Sequence, residues 1–272
     1  MAETCKSCQD SLVLALDPEE SGDEGETVPD DLLLPCGCHF HWQCLLDQSA
    51  SITSSLTCPS CSRYLPSNSA AAGGSSSSSA AQQQQPTPEI LTHYTNEGGV
   101  QPDLDIYPTL AEEAYLAAHP EARPARAFHT LAAEGEIQGM VELLTDLDSP
   151  AGDDDNDDAD REEDGPALSA TQILTWRDPL NGGRSALHVA LEAQQEEAVW
   201  LLLWLGSGAR GEDFPEAVVQ VAQAMGLPRR GEGLAAGEDV RFVRDERGRT
   251  AGDVCLELGS PWTRLVEGGL FN

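Results

Sequence analysis

Lys6 is the only lysine in 272 residues; the other 14 of the 15 basic side chains are arginine, set against 47 Asp and Glu. The formal charge of −32 excludes nucleic acid and anionic membrane as main partners, because both repel such a chain. Aromatic residues make up only 5%, so any core has to be built from aliphatic side chains and alanine. No run of about 18 apolar residues occurs, and no membrane-spanning helix is expected. The opening MAETCKSCQD lacks the basic-then-apolar pattern of a secretory leader. These absences predict a soluble protein of the cytoplasm or nucleus, with reduced cysteines.

Cysteine is what the chain concentrates. Seven of its eight cysteines lie in the first 61 residues. Cys5-Lys6-Ser7-Cys8 and Cys58-Pro59-Ser60-Cys61 bracket the block LPCGCHFHWQC at 34–44. In a reduced chain this spacing points to metal rather than disulfides. Each CxxC turn sets two thiolates about one tetrahedral edge apart, and two such pairs close a zinc site. Eight ligands suit two zinc ions, and a segment of about 60 residues needs them because its apolar core is too small to fold unaided.

The block Cys36-Gly37-Cys38-His39-Phe40-His41-Trp42-Gln43-Cys44 resembles the centre of the RING family, with Cys38 where the fourth ligand is commonly histidine. The resemblance covers residues 5–65 and implies a small α+β module cross-braced by two zinc ions. Cys5, Cys8, His41 and Cys44 would hold the first, and Cys36, Cys38, Cys58 and Cys61 the second. His39 is then a supporting or exposed residue, with ligation by His39 in place of Cys38 as the alternative. The stretch between Cys8 and Cys36 is expected to be a long acidic loop. The family recruits a ubiquitin-charged conjugating enzyme and performs no chemistry of its own. Its docking surface maps to Ser7, Leu34, Pro35, Gln48, Pro59 and Arg63. Three positions depart from the family: Ser7 and Gln48 replace an aliphatic residue and a tryptophan, and Ser62 follows the last ligand, with the basic Arg63 one place later.

From Pro66 the sequence SNSAAAGGSSSSSAAQQQQPTP has almost nothing to bury, so 66–88 is expected to be a disordered linker. Residues 89–123 read as further linker with a short extended piece at Leu104, Ile106 and Tyr107 and a helix over 108–119. Residues 124–272 show helical periodicity, interrupted by an acidic loop near 149–166. Its run DDDNDDADREED lacks the ligand alternation and central glycine of a calcium loop.

Within that region, Gly183, Ser185, Ala186, Leu187, His188 and Ala190 stand in the register of an ankyrin repeat, with Val199, Leu202 and Leu203 on the inner face of the second helix. Phe128, His129, Ala132 and Gly135 repeat the frame earlier, and Asp245, Gly248, Thr250, Ala251 and Asp253 repeat it later. Residues 124–272 therefore resemble the ankyrin family and imply a short all-α solenoid, irregular because of the acidic loop and a helix-like insert at 214–227. His129 and His188 are expected to hydrogen-bond within their turns, and Cys255 to be an inert core thiol. Trp200 and Trp204 either cover the insert or form a binding face.

Together these resemblances imply a RING-type ubiquitin ligase of the adaptor kind, in which the ankyrin region selects a protein substrate. The alternative is a non-catalytic zinc-binding interaction scaffold. A zinc hydrolase needs an open coordination position, and eight ligands in two closed sites leave none. The lone lysine fits a protein repeatedly presented to charged ubiquitin, though a GC-rich genome yields the same bias.

Overall fold

A computed structural model describes residues 3–15, 27–67, 87–148, 168–229 and 237–271. The acidic loop near 149–166 and almost all of the 66–88 linker lie outside these residues, as do 16–26 between Cys8 and Cys36. The chain forms two compact units, Met1–Ala118 and His119–Asn272.

In the first unit, β1 (Val13–Ala15) and β2 (Thr27–Pro29) form a ribbon within the Cys8–Cys36 interval. β3 (Asp31–Leu33) pairs on one side with β4 (His39–Phe40), Leu32 opposite Phe40. Its other side takes β5 (Leu91–Asn96), Leu32 opposite Tyr94, and β5 turns through Glu97-Gly98 into β6 (Gly99–Asp105). The antiparallel order is β4-β3-β5-β6. α1 (Trp42–Leu46) and α2 (Ser49–Ser55) follow β4, and α3 (Tyr107–Ala118) packs against both.

The extent of this unit differs from the sequence expectation. Residues 89–118 are part of its body, because Ile90, Ile106 and Leu110 are fully buried in one cluster with Leu32, Phe40, Leu45 and Ile52. The expected helix at 108–119 is α3, whose entry is fixed by Asp105 accepting from the amides of Ile90 and Tyr107. The hairpin before it was not expected. β6 reads GVQPDLD and is mostly exposed, so it is held by pairing with β5 rather than by strand propensity.

The second unit is helical. α4 (Arg123–Glu134) and α5 (Ile137–Asp148) pair across Gly135, which sits at φ 77, a left-handed conformation that ends the helix without strain. α7 (Ala186–Glu192) pairs with α8 (Glu196–Gly206), and α10 (Ala251–Leu258) with α11 (Thr263–Glu267). The leading helices α4, α7 and α10 pack side by side around buried Phe128, Ala132, Leu187, Ala190 and Val254. Among the described residues two further α-helices break this alternation. α6 (Ala170–Thr175), which the sequence reading did not place, starts at a Ser169–Gln172 capping box. α9 (Glu216–Ala224) is the expected insert. Among the described residues no helix is long and apolar enough to cross a membrane.

Candidate metal centres

Cys5 and Cys8 lie on a turn closed by the Thr4–Ser11 bridge, and His41 and Cys44 stand one helical turn apart at the start of α1. Cys36 and Cys38 flank Gly37, whose φ of 84 lets the backbone fold both thiols to one side between β3 and β4. Cys58 and Cys61 lie on the turn closed by the Thr57–Tyr64 bridge. These elements bring together two sets, Cys5, Cys8, His41 and Cys44, and Cys36, Cys38, Cys58 and Cys61. Within each set all ligand atoms lie within 4.8 Å of one another. The first pair in the chain thus joins the third, and the second joins the fourth.

Both sets fit zinc. A tetrahedral ion with bonds of about 2.0–2.3 Å requires donor separations of about 3.3–3.8 Å. His41 Nδ1 lies 3.3 Å from Cys8 Sγ and 3.8 Å from Cys44 Sγ. Its Nε2–H donates to the Ser11 carbonyl at 2.9 Å, which leaves the Nδ1 lone pair facing the thiols. The amides of Ser7 and His41 each donate to Cys5 Sγ at 3.4 Å.

The thiol acidities show why such a cluster calls for a cation. Burial alone would raise Cys5, but the backbone amides at Cys8, His41 and Ser7 bring it down to about 7. Cys61 falls to about 7, first through the backbone at Arg63. Cys44 is pushed up to about 12 by burial and by the neighbouring Cys5 thiolate, and burial likewise raises Cys36. Four such groups ionise together only around a positive ion.

His39 stands outside both sets. Its Nδ1 lies 2.7 Å from Asp31 Oδ1 and its Nε2 3.1 Å from Glu3 Oε2, so both ring nitrogens face carboxylates, and Cys38 takes the place in the second set. Of the expected docking residues, Ser7, Pro35 and Arg63 are exposed, and Gln48 and Pro59 are half-buried. Leu34, expected on that surface, is instead 2% exposed and packs in the core of the first unit, so it supports the surface from beneath. Gln48 Nε2 donates to Ser7 Oγ at 3.1 Å, and Arg63 Nη1 to the Cys36 carbonyl at 3.3 Å.

Asp30 was missed, because inside an acidic stretch it reads as one more solvated charge. It is buried and accepts from the Trp42 amide at 3.1 Å and from the Tyr94 hydroxyl at 3.1 Å.

In the second unit, His188 behaves as expected: the Ser185 amide and hydroxyl donate to Nδ1 at 3.3 and 2.8 Å, and Nε2–H donates to the Arg249 carbonyl at 3.1 Å. His129 does not. Neither of its buried ring nitrogens makes a well-formed hydrogen bond, the Trp176 backbone giving only a weak polar interaction, and the ring packs edge-on against Trp176 at 5.0 Å. Cys255 is fully buried, and burial pushes its thiol up to about 12, as an inert core thiol requires. Trp204 covers the insert, meeting Phe214 edge-on at 5.3 Å.

No protein-family model matches the chain, and comparisons with curated proteins and with solved structures give no match.

Proposed function

We propose that this protein is a RING-type ubiquitin ligase of the adaptor kind. The observation that carries the reading is the interleaving of the two four-donor sets, in which the chain crosses from one site to the other and back. That order supports the cross-brace expected of the RING family, where zinc, when bound, fixes the fold and takes no part in the chemistry. The chain's own residues then supply a docking surface for a charged conjugating enzyme at Ser7, Pro35, Gln48, Pro59 and Arg63, backed by Leu34. The three helix pairs, with α4, α7 and α10 side by side, support an ankyrin-like region that selects a protein substrate.

A second reading, a zinc-folded scaffold without ligase activity, draws on the Ser7–Gln48 hydrogen bond. It makes polar the spot where the family presents an aliphatic residue and a tryptophan.

The deciding experiment measures discharge of ubiquitin from a panel of charged conjugating enzymes onto free lysine, using the zinc-loaded full chain and a Cys58→Ser control. Acceleration by the wild type alone supports the ligase. No acceleration across the panel, by a chain holding two zinc ions, favours the scaffold. Self-modification is a poor substitute, since Lys6 is the sole ε-amine.

A further inference from the structure

Between α8 and the insert helix α9 lies an apolar cleft of about 280 Å³, unconnected with either metal centre. That volume is just below the roughly 300–1,000 Å³ of sites that enclose a small molecule. It suits a few anchoring side chains rather than a whole ligand. Leu201, Trp204 and Ala222 line it as buried residues, while Trp200 is half-buried. Trp204 is held in place: its Nε1–H donates to the Leu227 carbonyl at 3.3 Å, and the Arg229 guanidinium lies 5.0 Å over its ring.

The opening is formed by α9, which fully buries only Ala222. Val218, Val221 and Met225, spaced three and four apart, share one helical face along the cleft. Val221 and Met225 remain 57% and 44% exposed. Its edge carries acid: Glu197 lines the cleft, and Glu196 accepts from the indole N–H of Trp200, a lining residue, at 3.4 Å. Among the described residues no basic side chain lines the cleft; Arg229 nearby is turned onto the faces of Trp204 and Phe214 and donates to the Ala209 carbonyl.

We propose that this cleft docks an amphipathic segment of a partner protein, which inserts apolar side chains at helical spacing between Trp200 and the Val221–Met225 edge and sets flanking Arg or Lys against the glutamates. Helix-in-groove recognition of this kind uses i, i+3 and i+4 anchors. The charge favours a foreign, basic partner over a second copy: a like chain brings the same glutamates and a net charge of −32 to the contact. The inference is independent of whether the first unit recruits a conjugating enzyme.

The test is fluorescence anisotropy with the zinc-loaded full chain and three labelled peptides of about 15 residues, long enough to form a helix on binding. One is a leucine–lysine peptide with leucine at helical spacing, one has the same composition in scrambled order, and one carries glutamate in place of lysine. The patterned basic peptide should bind at least tenfold more tightly than either of the others. Val221→Asp should weaken it at least tenfold, although the added negative charge would strengthen a purely electrostatic attraction. Met225→Gln serves as a second variant should Val221→Asp fail to match wild-type thermal unfolding. Equal binding of patterned and scrambled peptides, insensitivity to both variants, or no binding at all overturns the proposal. So does a self-associated full chain that Val221→Asp dissociates, since the cleft's occupant would then be a second copy.

Discussion

The Tyr94 hydroxyl donates to the Asp30 carboxylate at 3.1 Å across 64 residues of sequence, and the Tyr94 ring packs against Trp42 with centroids 4.9 Å apart. Trp42 follows His41, a member of the first four-donor set, and its own amide donates to Asp30. The added hairpin is thereby tied to the helix that carries half of that set. Burial, reinforced by the Asp30 charge, pushes the Tyr94 phenol up to about 12, so the bond persists through neutral pH.

The hairpin and α3 are therefore structural parts of the first unit. Tyr94→Phe should lower the unit's stability by about 1 kcal/mol, the net worth of one such hydrogen bond. Ile106→Ala, at a fully buried position, should cost about 2–5 kcal/mol. Denaturant unfolding of the full chain should show both losses in the transition of the first unit. An Ile106→Ala chain with that transition unmoved would contradict this role.

Metal removal should separate the two units. The zinc-loaded chain should contain two equivalents of zinc, and chelation should unfold Met1–Ala118 while the helical unit keeps its circular dichroism and its own melting transition. Zinc retention should weaken as pH falls, because Cys44 and Cys36, raised by burial, must lose protons to bind. Loss of both transitions on chelation would show that the helical unit also depends on metal.

What the sequence made legible follows the strength of each physical constraint. Metal coordination admits few residue types at fixed spacings, so the eight residues that come together in two four-donor sets could be picked out. The α3 and α9 helices were visible in composition and periodicity. The hairpin was not, because Gly99, Pro102 and Asp103 carry no strand preference and β6 exists only through its partner. Leu34 was misplaced as a docking residue because LLLP does not say which leucines face inward; Leu32 and Leu34 do, and Leu33 is half-buried. Asp30 and His129 show a further limit. A buried carboxylate with two donors and a buried imidazole without a well-formed hydrogen bond look alike on the page, since partners distant in sequence decide the outcome.

His129 and His188 occupy the same frame in the helical unit and should respond oppositely to removal. His188→Leu discards bonds to Ser185 and to the Arg249 carbonyl and strands the buried Ser185, at a cost of about 1–3 kcal/mol. His129→Leu removes from an apolar site an imidazole without a well-formed hydrogen bond and should be neutral or stabilising. Thermal melts of the two variants side by side provide the comparison. Equal destabilisation by both would show that His129 has a partner in solution.

The same burial makes the helical unit acid-sensitive. Burial, aided by the Arg126 charge and against the opposing Trp176 backbone, holds His129 near 3, and burial also lowers His188. In the unfolded chain both titrate near 6.5. Below that pH the unfolded state takes up protons that the folded state refuses, so stability is greatest above about 6.5 and falls toward pH 3. Each histidine contributes a slope of up to about 1.4 kcal/mol per pH unit. Asp245, whose carboxyl is held low by the amide and guanidinium of Arg249 against the opposing effect of burial, adds a loss of the same sign as pH drops below the usual carboxylate range. Denaturant midpoints for the second unit should therefore decline steadily from pH 7 to pH 4. In His129→Leu the decline should be shallower by about one proton's worth; an unchanged slope would mean that His129 is protonated in the folded chain.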